Sequence, residues 1–206
     1  MTFEEALIEH CSPTLAGVKP ASLFRFCPRD SALFARRFLA LRQQFAARGL
    51  RLVILKGCRR TGSYLLYLYR ERDLAEVLGR REHRDFLRAM GYTPWEAPGD
   101  CLRQLAARLC LEEEFPHEIG VFLGYPLDDV KGFIRHKGRD YTFCGCWKCY
   151  GDPQAARRRF ERYHRCPRSF AAGMRREPRS LSSSRLLDRI HMLIQNDIQK
   201  GWINHG

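Results

Sequence analysis

The sequence has no run of hydrophobic residues long enough to cross a membrane, which takes about 20 in succession. Its start, MTFEEALIEH, lacks both the basic segment and the apolar segment of a secretory signal. The nine cysteines are an odd number, and without an export signal they favour reduced thiols over a disulfide framework. We therefore expect a cytoplasmic protein that does not act at a membrane.

Short motifs for nucleotide and zinc chemistry are missing as well. No GxGxxG sequence follows a predicted strand, no Walker sequence occurs, and no second histidine completes an HExxH motif with His117. A phosphate cradle and a zinc protease therefore have no support, and the sequence identifies no cofactor.

Lysine is scarce, because only six of the 36 basic residues are lysine. A coding bias toward arginine explains such a skew without any anionic partner. The net charge of +13 nevertheless keeps nucleic-acid binding as an alternative. The excess is concentrated in residues 153–206, which carry 12 basic and four acidic side chains. We favour a solvated basic face over a nucleic-acid-binding surface in this C-terminal quarter.

Hydrophobic residues make up 45% of the 206-residue chain, which is enough for a core. Residues 51–56 and 63–69 are short apolar runs, and the glycine-bounded segment between them predicts an antiparallel hairpin. Residues 141–149 predict a third strand. Both hairpin strands are apolar on both faces, so we expect helices on each side of the sheet. The predicted fold class is α+β, a small, mainly antiparallel sheet of about three strands covered by several α-helices.

Helical patterns account for most of the remaining chain. A first helix should end at Ser12-Pro13, and residues 15–29 indicate an ordered loop. Further helices are predicted at residues 30–48, 70–78, 81–90, 100–114 and 152–164, with short helical pieces over residues 115–138. The helix at residues 152–164 should end before Cys166-Pro167.

The chain is predicted to form one domain over residues 1–180, followed by an amphipathic helical tail over residues 181–206. The apolar stripe of this tail runs from Leu186 to Trp202. Such a helix either covers the core of its own chain or pairs with a second copy. An oligomer formed through the C-terminal helix is therefore one expectation.

Three segments resemble a known bacterial family. These are HEIGVFLGYP at residues 117–126 followed by DVKGFI at 129–134, CSPTLAGVKP at 11–20, and a C-terminal signature of Trp147, Lys148, Phe160, Tyr163 and Cys166. Together they resemble the domain of unknown function 3793, most members of which come from anaerobic Firmicutes. The resemblance implies no particular reaction. It does imply a link to iron or flavodoxin-type redox metabolism.

Three residues are candidates for catalysis. His117 and Glu118 pair an imidazole with a carboxylate, which suits acid–base chemistry, although the same residues are also typical of a helix start. Cys11 stands next to His10 in a predicted loop, where a thiol beside an imidazole can act as a nucleophile. The alternative for Cys11 is burial under one end of the sheet.

Seven further residues are candidates for ligand binding, because they lie in or beside the segments that carry the resemblance. Glycines let a backbone approach a ligand closely, and aromatic rings can stack on a flavin or a base. The alternatives are close packing for the glycines and a core position for the aromatic rings. The candidates are Lys19, Gly120, Gly124, Tyr125, Asp129, Trp147 and Lys148.

A cluster of cysteines is the candidate metal site. Thiolate and imidazole ligands suit tetrahedral zinc, which takes four of them. The candidate ligands are Cys144, Cys146, Cys149, His164 and Cys166. Their spacing differs from the paired C-x2-C of structural zinc sites, and Cys146 and Cys149 stand where the family pattern has other residues. We favour ordinary thiols here.

Three functions follow as hypotheses. The first is a cytoplasmic binding or accessory protein with a small-molecule or protein partner, linked to iron or redox metabolism. The second is an enzyme that uses His117, Glu118 and Cys11. The third is a nucleic-acid-binding protein whose arginine-rich C-terminal quarter forms one contiguous surface.

Overall fold

A computed structural model describes the backbone of residues 1–174 and the side chains of residues 1–165. Its main sheet has three antiparallel strands, β1 (Ala21–Phe26), β2 (Leu50–Cys58) and β3 (Ser63–Arg70), in the order β1-β3-β2. A second sheet is the short hairpin of β4 (Phe143–Cys144) and β5 (Lys148–Cys149). Helices cover the main sheet, so the predicted α+β fold is confirmed.

The β2–β3 hairpin matches its prediction. Its turn ends at Gly62, whose φ of 62° suits a residue without a Cβ. β3 is the central strand, and Leu66, Tyr67 and Leu68 in it are completely buried. Successive side chains of a strand point to opposite faces, so full burial of all three means that both faces of the sheet are covered.

The prediction for the third strand was wrong. Residues 21–26 form it as an edge strand, although the sequence between Pro20 and Pro28 indicates a loop. Proline is compatible with the ends of an edge strand, because no ladder hydrogen bond is needed from its nitrogen there. Residues 141–149 instead fold back on themselves, and the Gly145 amide donates to the Trp147 carbonyl in the turn.

Two helices, α1 (Phe3–Leu15) and α2 (Ser31–Ala46), cover one face of the sheet. The predicted end of α1 at Ser12-Pro13 was wrong, because the helix continues for two residues beyond Pro13. Proline cannot donate the usual helical hydrogen bond. Other hydrogen bonds hold the chain around it: the Ser12 hydroxyl donates to the Ile8 carbonyl, and the Pro13 carbonyl accepts from the amides of Val18 and Lys19 beyond the helix end.

The opposite face packs against a second core. The helices on this side are α3 (Glu71–Gly79), α4 (Arg81–Ala89), α5 (Pro98–Leu111), α6 (Ile119–Phe122) and α7 (Leu127–His136). Their bounds lie close to the predicted helices and short helical pieces. The buried Tyr67 of β3 donates from its hydroxyl to the Phe122 carbonyl at 2.6 Å, which fixes α6 against the sheet.

The last described helix is α8 (Pro153–Met174), which packs against α1. It begins as predicted after Asp152, whose carboxylate accepts from the Gln154 amide at 2.8 Å. Its predicted end at Cys166-Pro167 was wrong, since the helix continues to Met174. The predicted amphipathic tail of residues 181–206 lies outside the described residues. Within residues 1–174, no helix has both the length and the hydrophobicity for crossing a membrane.

Candidate ligand-binding cavity

A cavity of about 380 Å³ opens between the α6–α7 segment and the β4–β5 hairpin. Its size falls within the range of about 300–1,000 Å³ that is typical of small-molecule sites. The α6–α7 side contributes His117, Ile119, Gly120, Tyr125, Asp129, Val130 and Phe133, and the hairpin side contributes residues 144–148. Residues of the central family motif and Trp147 and Lys148 of the C-terminal signature therefore meet at this cavity, whereas residues 11–20 do not line it.

Gly120 allows α6 and α7 to approach each other closely. A Cβ atom at this position would lie 2.7 Å from a methyl carbon of Val130, which is too close for real atoms. The Gly120 carbonyl also accepts a hydrogen bond of 3.0 Å from the Tyr125 amide. Gly120 thus places Tyr125 and Val130 together in the cavity wall, and its role is close packing.

Asp129 holds the hairpin against α7. Its buried carboxylate accepts from the Trp147 indole nitrogen at 2.7 Å through Oδ2, and from the amides of Tyr150 and Gly151 at 2.7 and 3.0 Å through Oδ1. Both carboxylate oxygens are therefore engaged by the hairpin and the residues that follow it. Asp129 therefore stabilises the wall of the cavity, and neither of its oxygens is free to bind a ligand.

Trp147 is the aromatic residue on the hairpin side of the cavity, and neighbouring rings hold it in place. Tyr125 stacks on Trp147 with ring centroids 4.7 Å apart, and Phe160 of α8 meets Trp147 edge-on at 4.2 Å. Trp147, Phe160 and Tyr163 belong to a small separate core between the hairpin and α8. On the α6–α7 side, the exposed His117 ring lies 4.8 Å from the Phe133 ring. A ligand in the cavity would therefore meet ring surfaces on both sides.

The Lys148 ammonium group is the cation in the cavity wall. Its Nζ atom donates to the Gly138 carbonyl at 2.6 Å and lies 4.9 Å from the centre of the Tyr141 ring. An ammonium group carries three donor hydrogens, and this carbonyl uses one of them. Lys148 is half-buried, so its charge is screened less than that of a surface lysine.

Lys19 lies beside the cavity, behind Tyr125. Its Nζ atom is 4.9 Å from the centre of the Tyr125 ring and 5.6 Å from that of Tyr163. Burial lowers the pKa of Lys19 from 10.5 to about 8, and the nearby thiols of Cys146 and Cys11 act in the opposite direction. The amine is therefore charged at neutral pH, at a cost in stability.

This burial predicts an unusual pH dependence. Between pH 8 and 10 the unfolded chain keeps the Lys19 proton while the folded chain has lost it, so stability rises with pH. Relative to Lys19→Met, the wild-type free energy of unfolding should rise by about 1–2 kcal/mol over this window. Urea denaturation at several pH values measures the difference. A constant difference would show that Lys19 is not a buried cation.

The catalytic candidates do not converge. The Glu118 carboxylate points away from the cavity. It lies 3.0 Å from Arg108 Nε and accepts from the Tyr92 hydroxyl at 3.1 Å. Glu118 is buried, and its neighbour His117 is exposed at the cavity. Cys11 is buried in the core under α1, where burial raises the pKa of its thiol and disfavours the thiolate. Of the three, the structure brings only His117 to the cavity.

The cysteine cluster is divided by the hairpin. Cys144 and Cys146 are exposed at the cavity, whereas Cys149 is buried and donates to the Asp152 carbonyl at 3.7 Å. The Cys146 sulfur lies 3.8 Å from Nε2 of His164. Among the described residues, no group of three or more His, Cys, Asp or Glu side chains is placed to hold a metal ion. The Cys166 side chain lies outside the described residues.

Gly124, unlike Gly120, does not line the cavity. Its φ is 74°, and a Cβ atom here would lie 2.7 Å from a ring carbon of Pro20. It therefore packs the turn before α7 against the segment that carries Lys19. The cavity also includes Val130 and Phe133, which were not candidates. Phe133 follows Asp129 by four residues in α7, a spacing that places two side chains on one helix face and that could have found Phe133.

The fold and the cavity define a small α+β protein with one face of helices α6 and α7 open to a ligand-sized cavity. Residues 7–182 match the family described as "Protein of unknown function (DUF3793)", and the chain belongs to this family. No curated protein matches the chain, and no solved structure matches it either.

Proposed function

We propose that this chain is a cytoplasmic binding protein whose ligand occupies the cavity between α6–α7 and the hairpin. The ligand is a small molecule with a planar conjugated body and an anionic group. The observation that carries this proposal is the combination of ring surfaces on both walls with a half-buried lysine in the lining.

The ring surfaces support a planar ligand. Aromatic faces stack on conjugated rings, and each such contact contributes about 1–3 kcal/mol when a base is the partner. Trp147 is held by Tyr125, Phe160 and Asp129, so its orientation is fixed before a ligand arrives. A wall that is already ordered loses less conformational entropy on binding.

The charges support an anionic ligand. Asp129 is the carboxylate in the lining, and its oxygens are occupied by the hairpin. Within the described part of the chain, neither Lys148 nor Lys19 has a carboxylate partner. A half-buried ammonium group beside an apolar cavity is stabilised by an anion that the ligand brings. The family resemblance adds a link to iron or flavodoxin-type redox metabolism, for which a flavin is the matching planar anion.

Matched pairs of probes test both parts of the proposal. Flavin mononucleotide and riboflavin share a ring system and differ in a phosphate, and benzoate and benzamide differ in a charge. We expect the anionic member of at least one pair to bind more tightly, and Lys148→Met to weaken its binding about tenfold. Isothermal titration calorimetry measures the affinities.

Lys131→Met is the control for that variant, because Lys131 is an exposed lysine of α7 that does not line the cavity. It should leave all four affinities unchanged. Equal binding of the charged and neutral probes, or no binding of any of them, would contradict an anion-binding cavity.

The nucleic-acid hypothesis stays a prediction. Five arginines of α8 lie on its exposed side, whereas Phe160 and Tyr163 are buried on the side that meets the hairpin. The five are Arg157, Arg158, Arg159, Arg162 and Arg165. The hypothesis of an enzyme that uses His117, Glu118 and Cys11 also stays a prediction. The separation of these three groups gives it no support.

A further inference from the structure

Cys146 occupies a position that the binding function does not use. It lies at the turn of the β4–β5 hairpin, so one side of the residue lines the cavity and the other faces α8. Its sulfur lies 3.8 Å from Nε2 of His164, which is within reach of a sulfur hydrogen bond. A thiol within reach of an imidazole is the arrangement of an activated nucleophile.

A cation completes the surroundings of this thiol. The Lys19 ammonium group interacts favourably with a Cys146 thiolate, and it lies against the rings of Tyr125 and Tyr163. Lys19 and Tyr125 also interact electrostatically with Cys146, and His164 lies within hydrogen-bond reach of it. Cys144 also opens on the cavity, but it has no imidazole within hydrogen-bond reach among the described side chains.

We propose that Cys146 is a nucleophile that forms a thioether with an electrophilic carbon of a ligand in the cavity, with His164 as the general base. This inference rests on the proposed function, because the cavity has to place the ligand. The chemical class is a soft electrophile with a planar conjugated body, such as an α,β-unsaturated carbonyl compound. The ring surfaces that favour a planar ligand also favour this class.

The reaction is a conjugate addition and needs no oxidant or reductant. The thiol proton moves from the Cys146 sulfur to Nε2 of His164, and the sulfur electron pair forms a bond to the β-carbon of the ligand. The carbon–carbon π bond breaks, and its electrons form an enolate. The imidazolium then returns the proton to the α-carbon, so the product is the ligand with one S–C and one C–H bond added.

The protonation state of the thiol explains why a base is needed. Burial raises the pKa of the Cys146 thiol, and the Lys19 charge opposes this effect only in part. The group is therefore a neutral thiol at neutral pH, and only a small fraction is the reactive thiolate. A base within hydrogen-bond reach removes this barrier as the reaction proceeds.

N-ethylmaleimide is a suitable probe, because it is a planar α,β-unsaturated imide. Full-length protein is treated at pH 7 with a limiting amount, and mass spectrometry of peptides gives the rate at each cysteine. Cys144 is the internal reference, since it is exposed in the same hairpin. We expect His164→Asn to slow modification of Cys146 at least about tenfold and to leave Cys144 unchanged.

Arg158→Gln is the matched surface control on α8, and it should change neither rate. Thermal melts show whether each variant is folded. Lys19→Met is the second variant, and we expect it to slow the modification of Cys146 as well. An unchanged Cys146 rate in folded His164→Asn would overturn the inference. Binding of the anionic probes by Cys146→Ser separates the two proposals: retained binding leaves the proposed function standing, and the modification rates alone then decide whether Cys146 is a nucleophile.

Discussion

Replacing Asp129 with alanine should release the β4–β5 hairpin from α7 and lower the free energy of unfolding by about 3–5 kcal/mol. The carboxylate accepts three hydrogen bonds, from the Trp147 indole and from the amides of Tyr150 and Gly151. Alanine would leave the buried Trp147 indole and the partly buried amides of Tyr150 and Gly151 without this acceptor, and a buried donor without an acceptor costs about 1–3 kcal/mol. The expected loss of stability is large because three hydrogen bonds depend on this one side chain.

Urea denaturation followed by circular dichroism measures this loss. The contribution of Trp147 to the fluorescence, isolated by comparison with Trp147→Phe because the chain has three tryptophans, reports separately on the hairpin, since the indole would lose its hydrogen bond and its packing. Asp128→Ala is the matched control, since Asp128 is the exposed neighbour in the first turn of the same helix. A stability of Asp129→Ala within about 1 kcal/mol of the wild type would show that the hairpin does not depend on this carboxylate.

Glu118→Ala should also lower the free energy of unfolding by about 2–3 kcal/mol, because it removes a buried carboxylate that pairs with the partly buried Arg108 and accepts from a buried phenol. The Glu118 carboxylate is 2% exposed and lies 3.0 Å from Arg108 Nε. It also accepts from the Tyr92 hydroxyl, so its loss leaves this buried phenol without its acceptor and leaves Arg108 with the exposed Glu112 as its carboxylate partner. Burial and the Glu118 charge raise the pKa of Tyr92, which keeps this phenol protonated as the donor.

Glu112 provides the comparison for this experiment. It lies 3.2 Å from the same Arg108 nitrogen but is 42% exposed, so Glu112→Ala should cost less than about 1 kcal/mol. Thermal and urea denaturation of the two variants measure the contrast. Equal effects would mean that burial does not set the strength of these pairs. A stable Glu118→Ala protein would reopen a catalytic role for this residue.

These variants distinguish two kinds of residue in the family motif, those that stabilise the fold and those that line the cavity. Asp129 and Glu118 are buried and hold elements together, Asp129 through both carboxylate oxygens and Glu118 through Oε1. His117 and Tyr125 present ring surface to the cavity between these two anchoring points. A short motif of this kind combines residues that build the site with residues that contact a ligand.

Local patterns predicted the elements whose signals are local. The β2–β3 hairpin follows from two apolar runs with a glycine-bounded turn, and α2 follows from Asp30 and a helical stripe of phenylalanine. Prolines misled the prediction at both ends of the chain. A single proline near the end of a helix removes one backbone hydrogen bond, and at Pro13 the other hydrogen bonds of the segment keep the helix going for two more residues.

The amino-acid sequence by itself determined the α+β class, the hairpin and the segments that meet at the cavity. Only the tertiary structure decided that Ala21–Phe26 is the third strand, that Glu118 and His117 face opposite ways, and that Cys146 rather than Cys11 lies beside an imidazole. The reason is physical. The partners of a strand, a charged group or a thiol come from distant positions in the chain. Which of them meet depends on which side chains are buried together, and the periodicity within one segment does not determine this.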